Sequence, residues 1–290
     1  MRPTRIEGYA NMNKIVYMHG FGSSGSGSTV KTLQELLPDW VVLAPDIPVD
    51  PAEALPFLKE FCKKEQPDVI MGTSMGAMYA QQMRGFKRIC VNPAFDLPQH
   101  KDILYEGTFE FFNTRKNGET SFTITPEIIS HFAEMDAHQF DGITDEDRDN
   151  VYGLFADGDT TVNCEEIFRQ HYINVILFHG EHRLNRQVIE EVIVPLVQEL
   201  VQREYRWEDN GYTCVFKVDR QSASFEEIDR LDFSRYLLQI DVQGLMKALH
   251  VSDLRQLVEE VKDHFSFGIM EHFLKKNEIA YSTYYETNFD

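Results

Sequence analysis

The sequence is short of basic residues: 28 Lys and Arg stand against 47 Asp and Glu, a formal net charge of −19 over 290 residues. That balance disfavours non-specific contact with nucleic acid or an anionic membrane surface and favours solubility. Cysteine is also scarce. The four present (Cys62, Cys90, Cys164 and Cys214) are widely spaced and form no C-x-x-C pair. They read as reduced, buried thiols of a cytoplasmic protein, which argues against a disulfide framework. No run of about 18 apolar residues occurs, so no transmembrane helix is expected. The N-terminus lacks the apolar stretch of a signal peptide. His100, His131, His138, His171 and the histidines after residue 200 show no metal-ligand spacing, so neither a metal nor an organic cofactor is expected.

What is present suits a packed core: 42% hydrophobic and 12% aromatic residues, in a chain long enough for one large domain plus a smaller one. Apolar runs at 14–18, 40–44, 69–71, 88–91, 151–156 and 174–178 alternate with helical patterns through short connections. The expected fold class is therefore α/β, a mainly parallel sheet with helices on both faces, plus a small C-terminal α+β extension. The expected organisation is a polar extension at residues 1–11, an α/β domain over 12–203 and an α+β domain over 204–290. Residues 94–150 break the strand–helix rhythm. They are rich in Phe and hold one expected helix from about Thr125 to Met135. Two readings stay open, an insertion over the carboxyl edge that shapes the substrate pocket and a segment that merely covers a sheet face.

The chain is organised around Asp68–Ala80. Val69-Ile70-Met71 reads as a buried strand, Met75 to Met83 as a helix stopped by Gly85, and Gly72-Thr73-Ser74-Met75-Gly76 joins them as a G-x-S-x-G. A strand turning directly into a helix presents one side chain at the tip in strained backbone geometry. Close packing on either side requires residues without a Cβ at 72 and 76. Ser74 then stands at a helix N-terminus, where free N–H groups favour developing negative charge. Those are the surroundings of a nucleophile.

Two signatures compete for the loop after the first strand. Gly20-Phe21-Gly22-Ser23-Ser24-Gly25 fits G-x-G-x-x-G, with Asp46 near the position of a ribose-binding acid, as in a Rossmann-type nucleotide-binding protein. Small polar residues after Gly25 delay the helix, however, and no Lys follows to make a phosphate loop. In the other reading, this loop donates the backbone N–H of Phe21 to an oxyanion, and Met75 N–H is the second donor.

The choice depends on an acid and a base after Ser74, and both are present. The strand over 151–156 ends in Asp157-Gly158-Asp159, and the strand over 174–178 ends in His179-Gly180-Glu181-His182, giving the order Ser, Asp, His on one sheet edge. His182 is preferred over His179, which directly follows Phe178 and belongs with the strand. Asp159 is preferred over Asp157, because Gly158 makes the turn that brings it forward.

These residues resemble the YqiA-like esterases of the α/β-hydrolase superfamily over about 12–201. The resemblance rests on Tyr17-Met18-His19-Gly20-Phe21-Gly22-Ser23-Ser24, on Pro45 to Ala54, on Gly72 to Gly76, on Val91-Asn92-Pro93, on Asn117-Gly118, on Gly158-Asp159 and on Gly180-Glu181-His182. It departs at His179, where that family tends to have glycine, and at Asp157. The resemblance implies that Ser74, Asp159 and His182 form the triad and that the activity is hydrolysis of small carboxylic esters or acyl thioesters. A third reading makes the α/β half a non-catalytic interaction scaffold.

The resemblance ends near Val201. Asp209-Asn210-Gly211 marks a hairpin, Ser224-Phe225-Glu226-Glu227 reads as a capping box opening a helix, and the tail over 280–285 reads as a strand. Leu245 to Arg255 has the look of a helix-turn-helix. Residues 204–290, however, carry 10 Lys and Arg against 17 Asp and Glu, the wrong electrostatics for phosphate contacts. The expectation is two helices packed on a hairpin, with no nucleic-acid partner. Homo-oligomerisation, partner binding and active-site cover are the roles open to this segment.

Overall fold

The computed structural model of the chain describes residues 13–201, 203–219, 222–252 and 254–287. Contacts divide it into two compact units, 1–195 and 196–290. In chain order the first unit runs β1 (Asn13–Met18), α1 (Ser28–Leu36), β2 (Trp40–Leu43), α2 (Pro51–Glu65), β3 (Val69–Thr73), α3 (Met75–Ala80) and β4 (Lys87–Val91). After β4 come β5 (Gly107–Glu110), β6 (Ser121–Ile124), α4 (Pro126–His138) and α5 (Asp145–Asp149). The unit closes with β7 (Val151–Ala156), α6 (Glu165–His171), β8 (Asn174–Phe178) and α7 (Arg186–Val188).

Six strands form one parallel sheet in the order β2-β1-β3-β4-β7-β8. The chain steps from β1 outward to β2, reverses across β1 to β3, and continues in that second direction. Right-handed crossovers then put α1 on one face and α2, α3 and α6 on the other. This is the mainly parallel, helix-covered sheet that the alternation of apolar runs predicts, in the arrangement that the resemblance to α/β-hydrolases implies. Ile15, Val16, Val69, Ile70, Met71, Ile89 and Cys90 are fully buried, as strands covered on both faces must be.

Register decides what stands at the rim. Met18 pairs with Gly72, Thr73 with Val91, Val91 with Leu154, and Ala156 with Phe178. The residues that follow β1, β3, β4, β7 and β8 therefore leave the sheet along the same carboxyl edge.

The inserted segment contains more than the one expected helix, which is α4 with Thr125 as its N-cap. β5 and β6 pair as an antiparallel hairpin. Phe122 of β6 packs against Phe21, Phe109 and Phe111 at ring centroid distances of 5.4, 5.5 and 4.6 Å. Each strand is four residues long, too short for its alternation to stand out, so the aromatic cluster forms the hairpin more than local propensity does. Beyond α7, Ile189–Ile193 winds as a π-helix before α8 (Val194–Leu200), in which Pro195 takes the second position. A proline there donates no N–H, and the widened turn upstream accommodates the missing bond.

The second unit holds an antiparallel sheet, β9 (Arg203–Asp209), β10 (Tyr212–Val218), β11 (Ala223–Asp229), β12 (Arg235–Ile240) and β13 (Tyr281–Glu286), in the order β13-β12-β11-β10-β9. Three helices, α9 (Val242–Leu249), α10 (Leu254–His264) and α11 (Phe267–Lys276), complete it. Asn210 and Gly211 turn the β9–β10 hairpin with φ of 44° and 96°. Leu245 and Leu257 join the core under the sheet, so α9 and α10 are a packing pair.

One expectation fails here. Ser224-Phe225-Glu226-Glu227 lies in strand β11 and opens no helix. Phe225 pairs with Phe216 on one side and Leu238 on the other, Glu226 meets Arg235, and Glu227 accepts from Phe267 N–H. A capping box is a local signal, and two neighbouring strands with matched partners override it.

Candidate active site

Ser74 sits between β3 and α3 with φ 56° and ψ −122°, the strained geometry anticipated for the tip of a strand–helix elbow. The sterics that enforce it are explicit. A Cβ on Gly72 would lie 2.2 Å from Gly76 O, and one on Gly76 would lie 2.0 Å from Met18 O. Ser74 N–H donates to Val91 O at 3.0 Å, and Ser74 O accepts from Ala94 N–H at 3.2 Å, so both sides of the turn are tied to β4 and its loop. Met75 opens α3, where the first N–H groups have no acceptor inside the helix. The loop carrying Phe21 arrives from β1. A Cβ on Gly20 would stand 3.9 Å from Ser74 Oγ, and Phe21 lines the same cavity as Ser74.

Asp159 and His182 meet from the loops after β7 and β8. His182 Nδ1 donates to Asp159 Oδ2 at 2.7 Å, while Asp159 Oδ1 accepts from Thr161 and Val162 N–H at 2.8 and 3.1 Å. Three donors on one carboxylate fix its orientation, and the imidazole is left with Nε2 as its free nitrogen. Gly158 N–H donates to Gly180 O at 3.0 Å, and a Cβ on Gly158 would fall 2.6 Å from that oxygen, so glycine lets the two loops touch. Ser74 and His182 line one cavity of about 330 Å³, and no hydrogen bond joins their side chains in this state. Such bonds often form fully only once substrate is bound.

The rival residues pair with each other elsewhere. His179 Nδ1 lies 3.0 Å from Asp157 Oδ2, with the His179 side chain 98% exposed against 20% for His182. The cavity wall includes His182 and omits His179.

Asp46 does not present a free carboxylate to a ribose. Its Oδ1 accepts from Gly25 N–H at 2.7 Å and its Oδ2 from Lys116 N–H at 2.6 Å. Gly25 is a glycine because its Cβ would lie 2.0 Å from Ala44 O. The glycine loop is thus pinned to the loop after β2, and through Asp46 to the inserted segment, which corrects the dinucleotide reading of Gly20, Gly22, Gly25 and Asp46.

Two residues escaped the sequence reading. Asn92, 2% exposed with φ 42°, donates from Nδ2 to Glu181 O and His182 O at 3.1 and 3.2 Å and accepts on Oδ1 from Ala156 N–H at 2.8 Å. Its side chain bridges the ends of β7 and β8, and the Asn-Pro turn in the sequence was its one visible trace. His19, 2% exposed, donates from Nδ1 to Gly20 O at 2.9 Å and accepts on Nε2 from Ile47 N–H at 3.0 Å. Burial pushes its pKa down to about 4, so it is a neutral brace between the glycine loop and the loop after β2.

Larger clefts lie elsewhere on this unit, one of about 570 Å³ lined by Lys59, Cys62, Arg84 and His138. Its cysteine is buried with its thiol pushed up to about 12, which leaves no thiolate to act there. Among the described residues no group of three His, Cys, Asp or Glu could hold a metal ion, and no helix is long and apolar enough to cross a membrane.

Residues 14–114 match the model of an uncharacterised protein family (UPF0227). That is the YqiA-like family, and the match bears out the resemblance over the glycine loop, the elbow and the start of the insertion. No curated protein matches the chain in sequence. Solved structures similar to it include tomato methylketone synthase I complexed with 2-tridecanone, with 10% identity, 66% of this chain and 96% of that one covered, and a TM-score of 0.41. Polyneuridine aldehyde esterase has 11% identity, 66% and 98% coverage and a TM-score of 0.40. The esterase RhEst1 from Rhodococcus sp. has 13% identity, 65% and 88% coverage and a TM-score of 0.36. The strand order and register described above carry the fold assignment.

Proposed function

We propose that this chain is a serine hydrolase that cleaves small carboxylic esters or acyl thioesters through an acyl-enzyme on Ser74. The observation that carries the reading is the 2.7 Å bond from His182 Nδ1 to Asp159 on the wall of the cavity that also exposes the elbow serine. With Nδ1 held by the carboxylate, Nε2 is the atom that takes the Ser74 proton as Oγ attacks the carbonyl carbon. Asp159 stabilises the resulting imidazolium. Negative charge gathers on the former carbonyl oxygen, where Met75 N–H and Phe21 N–H are the intended donors. Collapse breaks the bond to the alcohol or thiol, which leaves with the proton returned by His182. Water then repeats the sequence on the acyl-enzyme and releases the acid and free Ser74.

A fluorophosphonate probe tests the reading directly. Labelling of the wild-type chain that is lost in Ser74→Ala and in His182→Ala supports it. A wild-type chain that stays unlabelled and turns over no p-nitrophenyl ester overturns it.

A further inference from the structure

The wall around Ser74 mixes apolar and polar groups and carries no carboxylate. Apart from Phe21, Ile103, Phe112 and Leu184, it presents hydroxyls and an amide, among them Ser23, Ser28, Thr161 and Asn113. Its one permanent cation is Arg183, the residue after the proposed base. The Arg183 guanidinium carbon lies 5.1 Å from the centre of the Phe112 ring, a cation–π stack. No carboxylate among the described residues forms an ion pair with it.

The platform beneath that guanidinium is anchored. Phe112 N–H donates to Gly22 O at 2.8 Å, and its ring lies so close over Gly22 that a Cβ there would approach Cε2 to 3.1 Å. Gly22 also has φ 67°, so two constraints require glycine at that position. Ser24 and Ser26 hydroxyls bond Thr114 O, and Arg115 Nη2 bonds Ile47 O at 2.8 Å, so the segment after Phe112 is fastened to the rim. Phe112 is nevertheless 66% exposed. A large ring held open to solvent at a cavity mouth supports the arginine stacked on it and buries little.

Stacking orients a guanidinium and leaves its N–H edge free for a planar or tetrahedral oxyanion. On its far side Arg183 borders a groove that contains Asp157, Glu181 and Glu191, so an anion meets it favourably only from the Ser74 side. In a chain of net charge −19, a lone cation on an acid-free wall is the local feature that reverses the repulsion of an anionic ligand. A cavity of about 330 Å³ has room for a short acyl group.

From this arrangement we propose that Arg183, stacked on Phe112, is the specificity-determining residue of the site and selects short ester or thioester substrates that carry a carboxylate or phosphate group. This inference rests on the hydrolase reading above and adds its substrate class.

The test compares matched substrates on the full chain, reading the ratio of kcat/KM for the anionic member over the neutral one. The first pair, p-nitrophenyl hemisuccinate and p-nitrophenyl butyrate, differs by a carboxylate on the acyl side. The second pair, butyryl-coenzyme A and S-butyryl-N-acetylcysteamine, differs by phosphates on the leaving-group side. In Arg183→Ala the ratio is expected to fall about tenfold in one pair, the usual scale for a lost charge-assisted bond. Arg183→Lys is expected to recover part of that fall. Raising salt should lower the wild-type ratio and should not lower that of Arg183→Ala, where only the repulsion of the acidic chain is left to screen. A fall confined to the first pair assigns the anion to the acyl group, and one confined to the second assigns it to the leaving group. Ratios that Arg183→Ala leaves within twofold in both pairs overturn the inference alone, since the neutral substrates still report hydrolysis. If no substrate turns over and Ser74 takes no probe, the hydrolase reading falls and this inference falls with it.

Discussion

The side-chain amide of Asn92 holds the backbone of His182. Its Nδ2 donates to His182 O at 3.2 Å while its Oδ1 takes the N–H of Ala156 at 2.8 Å, so one residue of β4's loop sets the spacing between the loops that carry Asp159 and His182. Asn92→Ala removes all these bonds and orphans a buried N–H and two carbonyls. The expected outcome is a loss of about 1–3 kcal/mol in stability and roughly 10²-fold in kcat with little change in KM. Asn92→Gly separates the two causes. It removes the strain of a positive φ and still loses the bridge, so recovery of kcat in Asn92→Gly would show that the bridge does not position His182.

The two His–Asp pairs make opposite predictions. His182→Ala is expected to lower kcat/KM by about 10⁴-fold or more, the scale for losing the base of a triad. His179→Ala removes an exposed pair outside the cavity and should leave kcat/KM within about twofold. Steady-state hydrolysis of p-nitrophenyl butyrate by both variants decides it, and a reversal of the two effects would transfer the base to His179.

Gly76 and Gly118 separate steric from conformational demand. Gly118 has φ 85° and open space around it, so Gly118→Ala should cost about 1–2 kcal/mol. A Cβ on Gly76 would be driven into the backbone of β1, and Gly76→Ala is expected to destabilise by more than about 3 kcal/mol or to abolish folding of this unit. Denaturant unfolding followed through Trp40, in a Trp207→Phe background, reports on the first unit.

His19 predicts a pH dependence with a definite sign. Its ordinary pKa of 6.5 applies to the unfolded chain, and burial lowers it to about 4 in the fold. Between those values the unfolded state binds a proton that the folded state does not, so stability rises with pH. The contribution is complete above about pH 6.5 and is lost as pH falls towards 4, on the order of 3 kcal/mol in all for so buried a group. His19→Gln retains an acceptor at the Nε2 position for Ile47 N–H and cannot titrate. Its unfolding free energy should therefore change less between pH 7 and pH 4.5 than that of the wild type, and equal slopes would refute the assignment.

Arg88 tests stability away from the site. It is fully buried, its guanidinium pairs with Asp147, and its Nε and Nη1 donate to Phe86 O and Gln81 O at 3.0 and 2.8 Å. Arg88→Leu removes the cation paired with Asp147 and the donor to Phe86 O, and should lower stability by about 3–5 kcal/mol. Fluorophosphonate labelling of the folded fraction should persist, because none of these partners lines the Ser74 cavity.

The elbow was legible in the sequence because its constraint is local. A strand, five residues and a helix specify where a Cβ can stand, and glycine at 72 and 76 reports the answer directly. The same holds for Asn210-Gly211, whose backbone angles suit few other pairs, and for the apolar runs that became parallel strands. The sequence by itself thus determined the α/β layering, the elbow and the candidate acid and base. What stands at the rim depended on register between strands distant in the chain, and only the tertiary structure decided it. Register sent His179 outward and His182 inward, spent the Asp46 carboxylate on Gly25 and Lys116, and gave Asn92 a bridging role that no local pattern marks. It also drew Ser224–Glu227 into β11, where pairing on both sides outweighs a helix signal four residues long. The stack of Arg183 on Phe112 is of the same kind, joining residues that no periodicity relates, because loops meet where the elements beneath them place their ends.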